Sequence, residues 1–157
     1  MLKGVLEPGK KYSELTSKCS SRIQDPTHDT RGDQECTNSP DSVTISITEY
    51  VQDNLPRVIR VCGVLDTHSS CLIHDFAYNT CYNPPQTGPG QPFSKIQADS
   101  NLRNGIRATC SAMFSTDPEC LHECNSVADM FYSGVSLVNT FYEIDQIGAC
   151  LCCNAIE

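Results

Sequence analysis

Within DTHSSCLIHDFAYNTCY, Asp66 to Tyr82, helical spacing places Cys71, His74, Asp75, Tyr78, Cys81 and Tyr82 on one face. A histidine and a carboxylate turned inward there need partners, because burying either one unpaired is costly. A second helical stretch carries Asp99 on the same stripe as Ile96, Ile106, Cys110 and Met113. If Asp99 meets His74, its carboxylate holds one imidazole nitrogen, fixes the tautomer and leaves the other nitrogen to take a proton from water. Asp75 points about a quarter turn away from His74 and can offer oxygen to a hard cation. Calcium suits that role in an acidic, oxidised chain, and it would polarise an ester carbonyl. The same residues also fit a plainer account. His74 can be a hydrogen-bonded core residue, Asp75 can pair with Tyr78 or a backbone amide, and Asp99 can serve the orphan amides at a helix start.

The elements that must position these residues are mostly helical. Asp66 is a suitable N-cap for the first helix, which is expected to end near Asn83-Pro84-Pro85. The segment NPPQTGPGQP, Asn83 to Pro92, reads as a loop that reverses the chain, so that the first two helices lie antiparallel. The second helix starts at Phe93 or Ser94 and runs to Phe114, with Gly105 marking a close approach by a neighbour. A third has Asp117 as cap and Pro118 at its first position, then Cys120, Cys124, Val127, Ala128, Phe131, Val135, Val138 and Tyr142 at helical spacing. Before these, Ser42 to Tyr50 alternates like a short strand, and Val51 to Leu65 fits either a strand or an extended loop. Residues 1–41 form a polar segment tied down by Cys19 and Cys36, and residues 148–157 form a cysteine-rich tail stapled to the body. The expectation is one mainly α, disulfide-stapled domain over residues 1–157 with little β. Residues 66–142 form its helical core, with two antiparallel site helices and a third packed on them.

Eleven cysteines in 157 residues point to an oxidising compartment and a secreted chain. The first thirty residues lack a signal-peptide layout, which suits a mature form. An odd count leaves one thiol free or joined to a second copy of the chain. A metal-thiolate reading of Cys120 to Cys124 or Cys150 to Cys153 is a minor alternative. A net charge of -8 with no basic stripe disfavours nucleic acid as a partner. His28, His68 and His122 read as surface or cap-proximal residues. Gly-x-Ser-x-Gly and His-Glu-x-x-His motifs are absent from the sequence, as is a phosphate-cradling glycine loop.

Three blocks in order resemble the secreted phospholipase A2 superfamily, most of all its compact fungal and bacterial type. They are Cys71-Leu-Ile-His74-Asp75-Phe76-Ala77-Tyr78, Asp99-Ser-Asn101-Leu102 with Ile106 and Cys110, and Cys124-Asn-Ser-Val127-Ala128-Asp129-Met-Phe131-Tyr132. The resemblance implies calcium-dependent hydrolysis of the sn-2 ester of glycerophospholipids at a membrane or micelle surface. His74 would act as general base, Asp99 would orient it, Tyr78 would support Asp99, and Asp75 would bind Ca2+. It also implies disulfide roles for Cys36, Cys71, Cys110 and Cys124. Asp33-Gln-Glu35-Cys36-Thr-Asn-Ser-Pro-Asp41 is similar to the microbial calcium loop, making Asp33 or Glu35 a second ligand. That segment lies too far upstream unless Ser42 to Leu65 is an insertion. Val61-Cys62-Gly63 is similar to the animal-type loop but sits close to Cys71. A displaced loop leaves a catalytically inactive, phospholipase-like binding protein as the alternative.

Overall fold

The computed structural model describes residues 3–4, 22–31, 40–82 and 94–153. Among them, in chain order, come β1 (Lys3–Gly4), β2 (Arg22–Gln24), β3 (Ser42–Tyr50), β4 (Pro56–Asp66), α1 (His68–Tyr78), α2 (Lys95–Phe114), α3 (Pro118–Leu137), α4 (Asn139–Ala149) and β5 (Cys150–Cys153). The described chain is mainly helical.

The alternating pattern from Ser42 forms β3 as expected, and the ambiguous segment after it is a strand from Pro56 onward. The two pair antiparallel from Ser42 opposite Asp66 to Tyr50 opposite Pro56. Between them lies a single 3-10 turn, Gln52–Asn54, followed by the reversal to β4. Asn54 there adopts φ 56°, a conformation that asparagine tolerates better than most residues. A register shift leaves Cys62 unpaired between the rungs Ile45–Gly63 and Ser46–Val61. Such a bulge bends the strand, and Cys62 is bridged from it to Cys120 in the first turn of α3. Ile45 and Leu65 at the base of this hairpin are buried, whereas Tyr50, Leu55, Val58 and Ile59 further out are exposed. The hairpin closes on itself: the Thr67 amide donates to the Asp41 carbonyl at 2.9 Å, and its hydroxyl donates to the Pro40 carbonyl at 2.8 Å. The stretch from Ser42 to Asp66 is thus an excursion that returns to its starting point.

Helix α1 departs from expectation at both ends. Its cap residue is Thr67 rather than Asp66, whose carboxylate accepts instead from the His68 amide at 2.9 Å. It stops at Tyr78, so Cys81 and Tyr82 lie beyond its stripe. The cause is tertiary. Gln146 of α4 donates to the carbonyls of Tyr78 and Thr80 at 2.8 and 2.9 Å and accepts from the Tyr82 amide at 2.8 Å, while Cys81 is bridged to Cys150. Groups that would otherwise extend the helix are satisfied from outside it.

Helix α2 begins with a reciprocal capping box between Ser94 and Gln97. Its inner row is Ala98, Asp99, Leu102, Ile106, Cys110 and Phe114. Ile96 and Met113, assigned to that row from spacing, are exposed at 74% and 41%. Four-residue steps from Leu102 carry the row to Phe114 instead of Met113, and Ile96 sits in the first turn, beyond the edge of the core. Gly105 marks a close helix contact as expected, since a Cβ there would lie 2.8 Å from Ser70 Oγ on α1. Helix α3 starts with the Asp117 carboxylate accepting from the Cys120 amide at 3.1 Å and Pro118 in the first turn. The run through Tyr142 is not one helix, because Val138 is extended and interrupts it. The Val135 carbonyl, which a continuing helix would pair with residue 139, accepts from the Val138 amide at 3.3 Å and from Lys95 Nζ at 2.8 Å.

The main core joins Ile45 and Leu65 of the hairpin to Cys71, Leu102, Ile106 and Val127 of the helices. Cys110–Cys124 ties α2 to α3, and β5 pairs with both β1 and β2. Because Cys120, Cys124 and Cys150 are in disulfides, the metal-thiolate reading of those cysteines is overturned. Cys71 is also disulfide-bonded. Cys19, Cys36 and the loop 83–92 lie outside the described residues.

Candidate active site

Two helices packed at the Gly105–Ser70 contact bring the inner faces of α1 and α2 together. His74 is 8% exposed and Asp99 2%, and the His74 Nε2–H donates to Asp99 Oδ1 at 2.9 Å. The bond fixes the tautomer and leaves the lone pair on Nδ1. Tyr78, one turn after His74, donates its hydroxyl to the same Oδ1 at 2.5 Å, and the two rings are in tilted contact, 43° between planes, with centroids 4.1 Å apart. Tyr142 of α4 meets the Tyr78 ring edge-on at 5.0 Å. Asp99 is therefore neither a helix-start carboxylate serving amides nor an idle core group, and Tyr78 pairs with it rather than with Asp75.

Oδ2 of Asp99 takes a partner that spacing did not single out. Lys95 Nζ donates to it at 2.6 Å. Burial pushes the Asp99 carboxyl up, but hydrogen bonds from His74, Lys95 and Tyr78 outweigh it and hold the carboxyl below its ordinary value. For Tyr78, burial comes first and the neighbouring Asp99 carboxylate second, and both raise the phenol, which stays a protonated donor. The site thus pairs one carboxylate with one ammonium and sets a histidine against it. The i, i+4 step from Lys95 to Asp99 was the one sequence signal for this lysine. Gln146 and Tyr142 had none, because they reach the site only through the packing of α4.

Asp75 is half-buried, with its Oδ2 shielded from solvent. Its backbone carbonyl accepts from both the backbone and the side-chain amide of Asn79, at 2.9 and 3.0 Å. Asp33, Glu35 and Cys36 lie outside the described residues. Among those that are described, no group of three His, Cys, Asp or Glu side chains is placed to hold a metal. His28 corrects its surface assignment: partly buried, its Nε2 lies 2.9 Å from Asn79 Oδ1 at the end of α1. His68 at the start of α1 is half-buried, with its Nδ1 3.6 Å from Asp41 Oδ1, and His122 is exposed.

Comparison with known proteins aligns 81 residues of this chain, 51% of it, with a protein of Beauveria bassiana (strain ARSEF 2860) named secretory phospholipase A2, at 28% identity. The chain is a distant relative of that protein. It spans 38% of that relative's length. No protein-family model matches the chain, and no solved structure does. The disulfides and the relationship to a secretory protein fit an oxidising, extracellular setting. Among the described residues no helix is long and apolar enough to cross a membrane.

Proposed function

We propose that the chain is a secreted, calcium-dependent phospholipase A2 that hydrolyses the sn-2 ester of glycerophospholipids at a lipid surface. The observation that carries this reading is the buried contact of His74 Nε2 with Asp99 Oδ1, supported by Tyr78, in a relative of a secretory phospholipase A2. His74 Nδ1 takes a proton from water as the oxygen attacks the ester carbonyl. Asp99 holds the ring in the tautomer that leaves Nδ1 free and stabilises the imidazolium that forms. The proton then passes from Nδ1 to the departing alcohol, giving a fatty acid and a lysophospholipid. The contacts Ser70 with Gly105 and His74 with Asp99 support an antiparallel pair of site helices.

Ca2+, when bound, would supply positive charge to the ester carbonyl and the developing oxyanion. Asp75 fits its oxygen chemistry, with Asp33 or Glu35 as a further ligand. The hairpin favours that upstream segment over Val61-Cys62-Gly63. Its closure at Pro40 and Asp41 sets the end of the 33–41 segment beside Thr67, and Cys62 is committed to α3. The odd number of cysteines supports a disulfide-linked pair of chains.

The test is release of fatty acid from phosphatidylcholine mixed micelles, with calcium and with chelator, by the wild type and His74→Gln. Loss of at least about 100-fold in kcat for the variant, and in the wild type with chelator, is expected. Vesicle binding without turnover would instead identify an inactive lipid-binding protein.

A further inference from the structure

Lysine side chains seldom leave water, because the ammonium is strongly hydrated and the tail has many rotamers to lose. Lys95 is 14% exposed, and both of its resolved bonds go to the protein: Asp99 Oδ2 at 2.6 Å and the Val135 carbonyl at 2.8 Å. The second bond depends on the break at Val138, since an uninterrupted helix would use the Val135 carbonyl itself. The two oxygens of Asp99 are therefore divided, Oδ1 to His74 and Tyr78, Oδ2 to Lys95. Donors at only one oxygen leave a carboxylate free to rotate about its Cβ–Cγ bond, whereas donors at both fix its plane. Lys95 is anchored on a different helix from the one that carries His74, so the plane is set relative to the body of the protein.

We propose that Lys95 is a positioning residue for the His74–Asp99 pair, fixing the carboxylate plane, and through it the tautomer and orientation of the imidazole, by tethering Asp99 to the open carboxyl end of α3. Its effect on rate rests on the hydrolase reading above. Its effect on the imidazole does not.

The test combines kinetics with side-chain nitrogen NMR of labelled histidine at one fixed pH. In wild type and Lys95→Arg, His74 should give a single Nε2-protonated tautomer. In Lys95→Met it should average between tautomers, with kcat reduced about 10- to 100-fold, KM within about twofold, and most of the loss recovered by Lys95→Arg. If Lys95→Met does not fold, Lys95→Gln, which keeps a donor but is shorter and uncharged, should show the same averaging. An unchanged His74 signature in any folded uncharged variant overturns the proposal, as does unchanged kcat in an active enzyme. A wild type with no hydrolysis but with the expected NMR pattern keeps Lys95 as a positioning residue and discards the hydrolase reading instead.

Discussion

At the residue scale, Asp99 is the hub, because a buried carboxylate survives ionised only when its donors outweigh desolvation. Its folded pKa is depressed below the ordinary 3.8. The stability it contributes is therefore fully present above that ordinary value and is lost as pH falls through the lower folded one. Asp99→Asn should cost about 3–5 kcal/mol at pH 7, because it leaves the Lys95 ammonium buried without a counter-charge. Urea denaturation of both proteins should show the gap between them narrowing below about pH 4. A gap that does not change with pH would mean that Asp99 is not held ionised. His74 was legible in the sequence because it lies on an inward, mostly polar face flanked by cysteines, and Asp99 because it is a carboxylate among apolar residues on its stripe. Beyond its i, i+4 step to Asp99, Lys95 was not legible, since a lysine in a first helical turn is ordinarily solvated and only the neighbouring helix end removes it from water.

At the element scale, the starts of α2 and α3 were legible, whereas the ends of α1 and α3 were not. Ser94, Asp117 and Pro118 act through local hydrogen bonds and local backbone geometry, so their sequence signals suffice. Helix α1 instead ends where Gln146 reaches it from residues far away in the chain. That side chain is fully buried and bonded at both amide atoms. Gln146→Leu should therefore strand the carbonyls of Tyr78 and Thr80 and the amide of Tyr82, at a cost of roughly 3 kcal/mol in chemical denaturation. Hydrogen exchange should quicken at residues 79–82 before the rest of α1. Equal protection in both proteins would show that the glutamine is not what ends the helix. The interruption at Val138 escaped the sequence reading because the apolar spacing continues across it, and the Val135 carbonyl it frees accepts from the Val138 amide and Lys95 Nζ.

At the scale of the whole molecule, two long-range crosslinks tie the hairpin to α3 and the segment after α1 to the end of α4. Cys62–Cys120 and Cys81–Cys150 close sequence separations of 58 and 69, against 14 for Cys110–Cys124. Loop-closure entropy makes the long bridges the more stabilising. Cys81→Ser with Cys150→Ser should lower unfolding free energy by about 4 kcal/mol, measured by guanidinium denaturation, and should loosen α4 against the end of α1. A loss no larger than that from removing Cys110–Cys124 would count against this ranking. The sequence by itself determined the helical class, the inward stripe bearing His74 and the row bearing Asp99, because hydrophobic periodicity and capping are local. Only the tertiary structure decided that these residues meet, that Lys95 takes the second oxygen of Asp99, and that the excursion from Ser42 to Asp66 folds back to Thr67. Those contacts join groups distant in the chain, and no local pattern specifies which of many buried polar groups will satisfy which.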